Sequence, residues 1–467
     1  MKPTDGLSHL LKGKEILFVG IGVSNRELIA MLADAGLSVT ACDKRGPREL
    51  GPVCDELKAK GVRLLLEKDY PQHFEGDVLV RTPGMYFHQP ALEEFRAKGG
   101  IVTSEMELFF RFCPCPIIAV TGSDGKTTTT TLISKLLEEQ GYRVHLGGNI
   151  GRALVPELDH IKPEDMAAVE LSSFQLISMR CAPQVSVVTN VTPNHLDVHR
   201  DMEEYIQAKQ NIFLHQDAFS TTVLGADDPV AASFAPQVRG RCQLFSLEHP
   251  VTHGAYLGKD GMLRRVEGGV ETPLLHRDEI RLPGLHNVAN LLAAICATGN
   301  LVQAGTIRKV AREFAGVEHR IEPVGTIQGV KWYNDSIATS PTRCISGLKS
   351  FPDQVILIAG GYDKNLSYDP LAPVLVEKVK LLILTGATAD KIEASLRSCP
   401  SYQPGQPEIL RAKDLEEAVA LAHRAAQEGD VVTLSPASAS FDCYPNFEAR
   451  GRHFKELVAA LDQSIPT

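Results

Sequence analysis

Short apolar runs alternate with helix-like patterns through the first hundred residues: EILFVGIG at 15–22, NRELIAMLADAG at 25–36, SVTACD at 38–43 and DVLVRTPG at 77–84. Apolar runs of four to eight residues separated by segments of helical period predict parallel strands with helices on their faces. A second series follows the Pro-rich FCPCP at 112–116, which reads as a linker. It opens with IIAV at 117–120, passes through a Gly-rich turn, and enters a helix whose Leu132, Ile133, Leu136 and Leu137 recur on one face. MAAVELSSFQL at 166–176, VSVVTNVTPNHLD at 185–197 and a helical GLHNVANLLAAICATGNLV at 284–302 continue it. A third series starts near GVEHRIEPV at 316–324 and contains QVILIAGGYDK, KLLILTGATADKI and DVVTLSPASAS, each an apolar strand running into small or polar residues. Ligands gather at the carboxyl ends of strands in such sheets, so each series puts its informative residues where sites form.

Composition narrows the class. A length of 467 residues suits about three domains, and 43% hydrophobic with 22% charged residues is ordinary for a soluble globular chain. The net charge of −9 argues against bulk nucleic-acid binding while leaving room for a local basic cleft. The opening MKPTDGLSHLLKGKEILFVGIGV has the pattern of neither a signal peptide nor a membrane span, so a cytoplasmic location is expected. Ten cysteines without paired zinc spacing are expected to be buried, reduced thiols; the CPCP run at 113–116 is their one cluster.

The turn TGSDGKTT at 121–128 carries the clearest chemistry. Backbone N–H groups from Gly122, Ser123, Asp124, Gly125 and Lys126 can wrap a phosphate at a helix N-terminus, with Lys126 reaching the outer phosphates and the Thr127 hydroxyl on Mg²⁺; Thr128 is counted with them in the ATP-binding loop. Val120 stands where the common phosphate loop has its first glycine, so the loop is a shortened variant. Glu170, at the tip of an apolar strand, is where a Mg²⁺-binding acid belongs in such a domain. His195 and Asp197 follow another strand end, where a histidine either ligates metal, bonds a phosphate or merely finishes a turn. Lys209, in EEYIQAKQNIF, reads by itself as a solvated lysine. Gly20 and Gly22 begin a dinucleotide-like fingerprint whose third position is Asn25, and Asp43 stands where a ribose-binding acid would. NDSIATSP at 334–341 and SPASASFDCYPNFEARG at 435–451 are polar loops suited either to carboxylate recognition or to turns.

Together with GGNIG at 147–151, LPGLHNVAN at 282–290, EHRIE at 318–322 and GGYDKN at 360–365, these stretches resemble the Mur ligase family, in family order over nearly the whole chain. The resemblance implies an α/β protein of three domains: an N-terminal Rossmann-like domain over 1–112 for a UDP-substrate, a central P-loop ATPase with a mostly parallel sheet over 113–316, and a C-terminal Rossmann-like, amino-acid-binding domain over 317–467. Within the family, VELSSFQL, NDSIATSP and NFEARG look like the D-glutamate-adding branch. That likeness implies ATP-dependent ligation of D-glutamate to UDP-N-acetylmuramoyl-L-alanine through an acyl phosphate.

Carried over position by position, the resemblance assigns Lys126, Glu170, His195 and Lys209 to catalysis. Thr127, Glu170, His195 and Lys209, the last as a carbamate, would hold two Mg²⁺ ions. Asn290, Arg320 and Asp335 would join the loop in binding ATP. Val23, Ser24, Asp43, Lys44, Arg45, Thr82, Gly84 and Asn149 would face the UDP-substrate, and Thr339, Lys364, Ser440 and Phe447 D-glutamate. Ile337 departs from the family, many of whose D-glutamate adders have lysine there; Arg343 or Lys364 would supply the charge. A hinge near residue 316 and a monomeric state are expected. The alternatives are another family ligase adding L-alanine or extending folate, an ATP-driven switch that joins nothing, and, for the first domain alone, a dinucleotide-linked oxidoreductase.

Overall fold

The computed structural model describes residues 2–150, 153–193, 198–282, 284–364 and 366–463. The chain divides into two compact units, the second beginning at Ala315. Three sheets carry the α/β architecture that the alternating pattern predicts.

In the first unit, β1 (Ile16–Val19), β2 (Val39–Asp43), β3 (Arg63–Leu66), β4 (Val78–Arg81) and β5 (Ile101–Ser104) form a parallel sheet in the order β3-β2-β1-β4-β5. Continuous burial of β1 and β4 follows from helices lying on both faces of a parallel sheet. The second sheet adds β6 (Ile117–Thr121), β7 (Val144–Gly148), β8 (Met166–Glu170), β9 (Val185–Val188), β10 (Thr221–Gly225) and β11 (Arg241–Ser246), then β12 (Gly254–Leu257), β13 (Met262–Glu267) and β14 (Val270–His276). Its order is β14-β13-β12-β11-β10-β9-β6-β8-β7. Parallel pairing runs from β7 to β12, and β12, β13 and β14 close the far edge as antiparallel hairpins. These hairpins are an addition to the expected αβ series; the KDG and GG turns at 259–261 and 268–269 are their local signals.

Leu132, Ile133, Leu136 and Leu137 of the helix Lys126–Gln140 are all buried, and with the helix Leu285–Thr298 they cover one face of this sheet. The threonine run in the first of these helices is accommodated by back-bonding: Thr130 Oγ1 donates to the Lys126 carbonyl and Thr131 Oγ1 to that of Thr127, both at 2.8 Å. The opposite face shares one apolar cluster with the first sheet, in which Phe18 and Leu28 meet Ala119, Val169 and Phe213. That common core makes residues 2–314 one unit.

In the second unit, β15 (Glu322–Ile327), β16 (Val330–Asn334), β17 (Val355–Gly360), β18 (Val379–Thr385), β19 (Glu408–Arg411) and β20 (Val431–Leu434) are ordered β15-β16-β20-β17-β18-β19, all parallel except the β15 edge. Apolar clusters lie on both faces. Adjacent β16, β20 and β17 deliver NDSIATSP, SPASAS and GGYDK to the same sheet edge.

The cysteines depart from expectation. Cys42, Cys54, Cys115, Cys296 and Cys344 are buried, but Cys113, Cys181, Cys242 and Cys399 are partly accessible and Cys443 is exposed. No described helix is long and apolar enough to cross a membrane.

Candidate active site

The phosphate loop leaves β6 between the carboxyl ends of its neighbours β8 and β9. Gly122 and Gly125 have φ of 150° and 77°, and a Cβ at either would collide with a side chain, Thr189 Oγ1 at the first and Asn290 Oδ1 at the second. Glycine there serves both backbone conformation and close approach. The loop is held from β9: Ser123 N donates to the Asn190 carbonyl (2.9 Å), Asp124 N to Asn190 Oδ1 (2.9 Å), and Thr189 Oγ1 to the Asp124 carbonyl (2.6 Å). Ser123 Oγ donates to the Thr192 carbonyl at 2.8 Å and lies 3.0 Å from the Tyr205 hydroxyl. Lys126 Nζ folds back onto the carbonyls of Gly122 and Ser123, at 3.0 and 2.8 Å.

Glu170 sits at the tip of β8 and is 2% exposed. Thr127 Oγ1 donates to its Oε2 and Asn149 Nδ2 to its Oε1, each at 2.7 Å. This unites Thr127 and Glu170 as expected. It also places Asn149, assigned from sequence to the UDP-substrate, beside the Glu170 carboxylate.

Lys209 overturns its plainest sequence reading. It is 1% exposed rather than solvated. Asp201 caps the helix Met202–Leu214, accepting from Glu204 N, and the helix aims Lys209 inward so that Nζ donates to the Gly122 carbonyl at 2.7 Å and lies 4.6 Å from the Tyr205 ring centre. Desolvation, reinforced by the Lys126 charge, holds its ammonium well below the usual lysine range. Such an environment favours the unprotonated, nucleophilic form of the amine. His195 and Asp197 lie outside the described residues. Asn290, near the start of the helix Leu285–Thr298, accepts from Thr129 Oγ1 at 3.3 Å and so touches the same loop helix.

The segment after β4 is tied to this centre by two side chains that sequence reading did not single out. Buried Arg81 donates to the Met85 carbonyl (3.1 Å), the Phe174 carbonyl (2.6 Å) and Ser178 Oγ (2.9 Å), joining the Thr82–Gly84 turn to the helical segment just after Glu170. Tyr86 donates to Glu204 Oε1 at 2.8 Å, on the helix of Lys209. Asp43, at the end of β2, accepts from Ile21 N (2.8 Å), Arg45 N (2.9 Å) and the Arg45 guanidinium (2.8 and 3.0 Å). Burial alone would raise its pKa; the Arg45 and backbone hydrogen bonds outweigh this and hold it low. Lys44 Nζ lies 5.7 Å from the Tyr70 ring centre. Val23 and Ser24 open the helix Val23–Asp34.

In the second unit, Asp335 is buried after β16, accepting from Ser435 Oγ (2.7 Å) and Ile321 N (3.3 Å), and burial pushes its carboxyl up to about 7. Arg320 stands in the turn just before β15. Arg450, quoted within NFEARG but not picked out, joins the loops after β16 and β20. Its guanidinium donates to Ser336 Oγ (3.0 Å) and to the carbonyls of Ser336 (3.0 Å), Ser438 (3.1 Å) and Ala439 (3.0 Å). Phe447, which opens the helix Phe447–Gln463, accepts from Ser336 Oγ through its carbonyl at 2.8 Å, and Ser440, in the loop after β20, is buried. Lys364 is partly desolvated and feels both Arg343 and Arg450, so its pKa falls below the ordinary lysine value. Lys364, Arg343 and Arg450 are thus close enough to influence one another, although Ile337 carries no charge; Arg343 meanwhile donates to the Ile337 carbonyl at 3.3 Å. Such a cluster suits a carboxylate ligand.

Two family models match the chain: the Mur ligase middle domain over residues 120–298 and the Mur ligase, glutamate ligase domain over 319–438. The UDP-N-acetylmuramoylalanine–D-glutamate ligase of Acetivibrio thermocellus is 50% identical over 455 residues, 97% of each chain. That of Clostridium kluyveri is 47% identical over 455 residues, 97% of this chain and 98% of its own. Among solved structures, the UDP-N-acetylmuramate-alanine ligase of Thermotoga maritima superposes with a TM-score of 0.53 at 19% identity, over 96% of this chain and 99% of its own, a likeness of fold.

Proposed function

The chain belongs to the Mur ligase family, and from that membership we propose that it joins D-glutamate to UDP-N-acetylmuramoyl-L-alanine at the expense of ATP, in peptidoglycan precursor synthesis. The observation that carries the reading is the buried cluster of phosphate loop, Thr127, Glu170 and Lys209 in a chain about half identical, end to end, to ligases of that name.

An amine does not displace oxide from a free carboxylate at a useful rate, so the L-alanine carboxylate must first be activated. Its oxygen attacks the γ-phosphorus of ATP, ADP leaves, and the D-glutamate amine then attacks the acyl phosphate carbonyl, releasing phosphate and forming the amide. The amides of 122–128 cradle the phosphates at a helix N-terminus, and Lys126, released from the loop carbonyls, offsets charge on the moving phosphoryl group. Asn290, Arg320 and Asp335 complete the ATP site.

Thr127 and Glu170, which meet at 2.7 Å, would hold a first Mg²⁺ ion, and His195 with a carbamate on Lys209 would serve a second. When bound, Mg²⁺ supplies further neutralisation of phosphate charge. The unprotonated Lys209 amine is the form that adds CO₂, and the carbamate would turn this buried cation into an anionic oxygen donor. Asn149 fixes the Glu170 rotamer through Oε1 and leaves Oε2 to face Thr127.

Val23, Ser24, Asp43, Lys44, Arg45, Thr82 and Gly84 face the UDP portion, with Asn149 at its reactive end. Arg81 and Tyr86 set that segment against the ATP centre. Thr339, Lys364, Ser440 and Phe447 orient D-glutamate, Lys364 and Arg343 standing in for the charge that Ile337 lacks. Residues 1–112, 113–316 and 317–467 are then the UDP-substrate, ATP and amino-acid domains of a cytoplasmic monomer.

Phosphate release in the presence of ATP, Mg²⁺ and UDP-N-acetylmuramoyl-L-alanine tests the specificity. Release with D-glutamate and not with L-glutamate or L-alanine is expected; release with L-alanine instead would move the substrate, and release without any amino acid would remove the ligase reading.

A further inference from the structure

The CPCP run serves no step above, yet it brings two sulfurs together. Cys113 ends the helix Glu105–Phe112 as its C-cap, with extended backbone (φ −64°, ψ 122°), and Cys115 leads through Pro116 into β6, the strand that carries the phosphate loop. Across the intervening proline the two Sγ atoms lie 3.6 Å apart, and Cys113 Sγ is also 3.6 Å from the Cys115 carbonyl. Pro114 fixes its own φ and restricts the residue before it, which limits how far the sulfurs can part. Cys113 is partly accessible while Cys115 is 4% exposed and packs in the core shared by the first two sheets. No other pair of cysteine sulfurs among the described residues is in hydrogen-bond contact.

The geometry points to Cys113 and Cys115 as a redox-active dithiol, a covalent modification site in which Cys113 reacts first, as the nucleophile, and Cys115 resolves. The sulfurs need to close from 3.6 Å to about 2.05 Å to form the bond. The thiol of Cys115 stabilises a thiolate on Cys113 and lowers its pKa, whereas the same interaction and burial raise that of Cys115. The accessible sulfur is therefore the nucleophile.

With a small disulfide such as oxidised glutathione as oxidant, the Cys113 thiolate attacks one sulfur and expels one glutathione thiolate, leaving a mixed disulfide. Once Cys113 no longer holds negative charge, the main influence retaining the Cys115 proton is gone. Cys115 loses that proton to water, attacks the Cys113 sulfur and releases the second glutathione. Two protein thiols are oxidised, one disulfide is reduced to two thiols, and the electrons balance.

The test is intact-mass spectrometry and peptide mapping of the full-length protein after equilibration with oxidised glutathione, with non-reducing fragmentation of the peptide spanning 113–116. The expected result is a loss of two hydrogens confined to that peptide, reversed by dithiothreitol. Cys115→Ser should instead accumulate one glutathione adduct on Cys113, and Cys113→Ser should give neither product there. A stable glutathione adduct on wild-type Cys113, a disulfide involving another cysteine, or no change at 113–116 while Cys443 reacts would each overturn the proposal. The readout is a mass on a defined peptide, so it stands or falls apart from the ligase reading.

Discussion

Lys209 is the residue whose environment says most. Its amine is buried against the Gly122 carbonyl and the Tyr205 ring, and desolvation with the Lys126 charge disfavours its protonation. Lys209→Arg keeps a cation but cannot form a carbamate under these conditions, so kcat is expected to fall by roughly two orders of magnitude or more, the scale for losing a charge-stabilising group. ¹³C NMR of wild type equilibrated with ¹³CO₂ should show a carbamate resonance that Lys209→Arg lacks. A wild-type spectrum without it would remove the carbamate from the account. Glu105 makes a second residue-level prediction. Its Oε1 accepts from Leu154 N and Val155 N, both at 3.0 Å, but burial outweighs these bonds and pushes the carboxyl from the ordinary 4.5 up to about 7.

The folded state thus keeps the Glu105 proton to about pH 7, whereas the unfolded chain loses it near 4.5. Between these values the unfolded state binds fewer protons, so this contribution is complete below about pH 4.5 and is lost as pH rises through 7. Glu105→Gln retains the acceptor and removes the titration. Its stability relative to wild type, measured by denaturant melts, should rise by on the order of 1–3 kcal/mol between pH 5 and pH 7.5; a pH-independent difference would mean that Glu105 ionises normally.

At the scale of elements, the phosphate loop is a backbone device held by its neighbours. A methyl group at Gly122 would meet Thr189 Oγ1, and its φ of 150° disfavours an L side chain. Gly122→Ala should raise the KM for ATP at least about tenfold, the factor for 1.4 kcal/mol of lost binding, and unchanged ATP kinetics would show that the loop does not hold the nucleotide. Arg81 locks the β4 turn to the segment after β8. Arg81→Ala strands the carbonyls of Met85 and Phe174, and should cost roughly 2 kcal/mol in urea unfolding, the scale for a hydrogen bond from a charged group.

Much of this level was legible: the apolar runs gave β1, β2, β4, β6, β8, β17, β18 and β20, and the 3.6-residue period gave the loop helix. Partnerships were not. Nothing local tells that Asn190 rather than a neighbour holds the loop, that Asn149 turns to Glu170, or that a lysine among Glu, Gln and Asn residues points inward. Those depend on which strands become neighbours, a property of β6 lying between β8 and β9. Arg450 was hidden for the same reason, since its partners are more than a hundred residues away or across a loop turn.

At the scale of the molecule, the residues proposed for activation and for amide formation fall in two compact units, one ending at Phe314 and the other beginning at Ala315. On that proposal, closure about this junction is the expected response to ligands, because an acyl phosphate must meet an amine before water. Small-angle scattering should give a smaller radius of gyration with a non-hydrolysable ATP analogue, Mg²⁺ and UDP-N-acetylmuramoyl-L-alanine than without; identical profiles would count against closure. The most direct test of the central claim follows the oxygen. With UDP-N-acetylmuramoyl-L-alanine labelled with ¹⁸O in its alanine carboxylate, ATP and D-glutamate, the account predicts one labelled oxygen in each phosphate released, because that oxygen attacks phosphorus and departs with it. Unlabelled phosphate would mean that ATP is cleaved by water and that the carboxylate is never activated here.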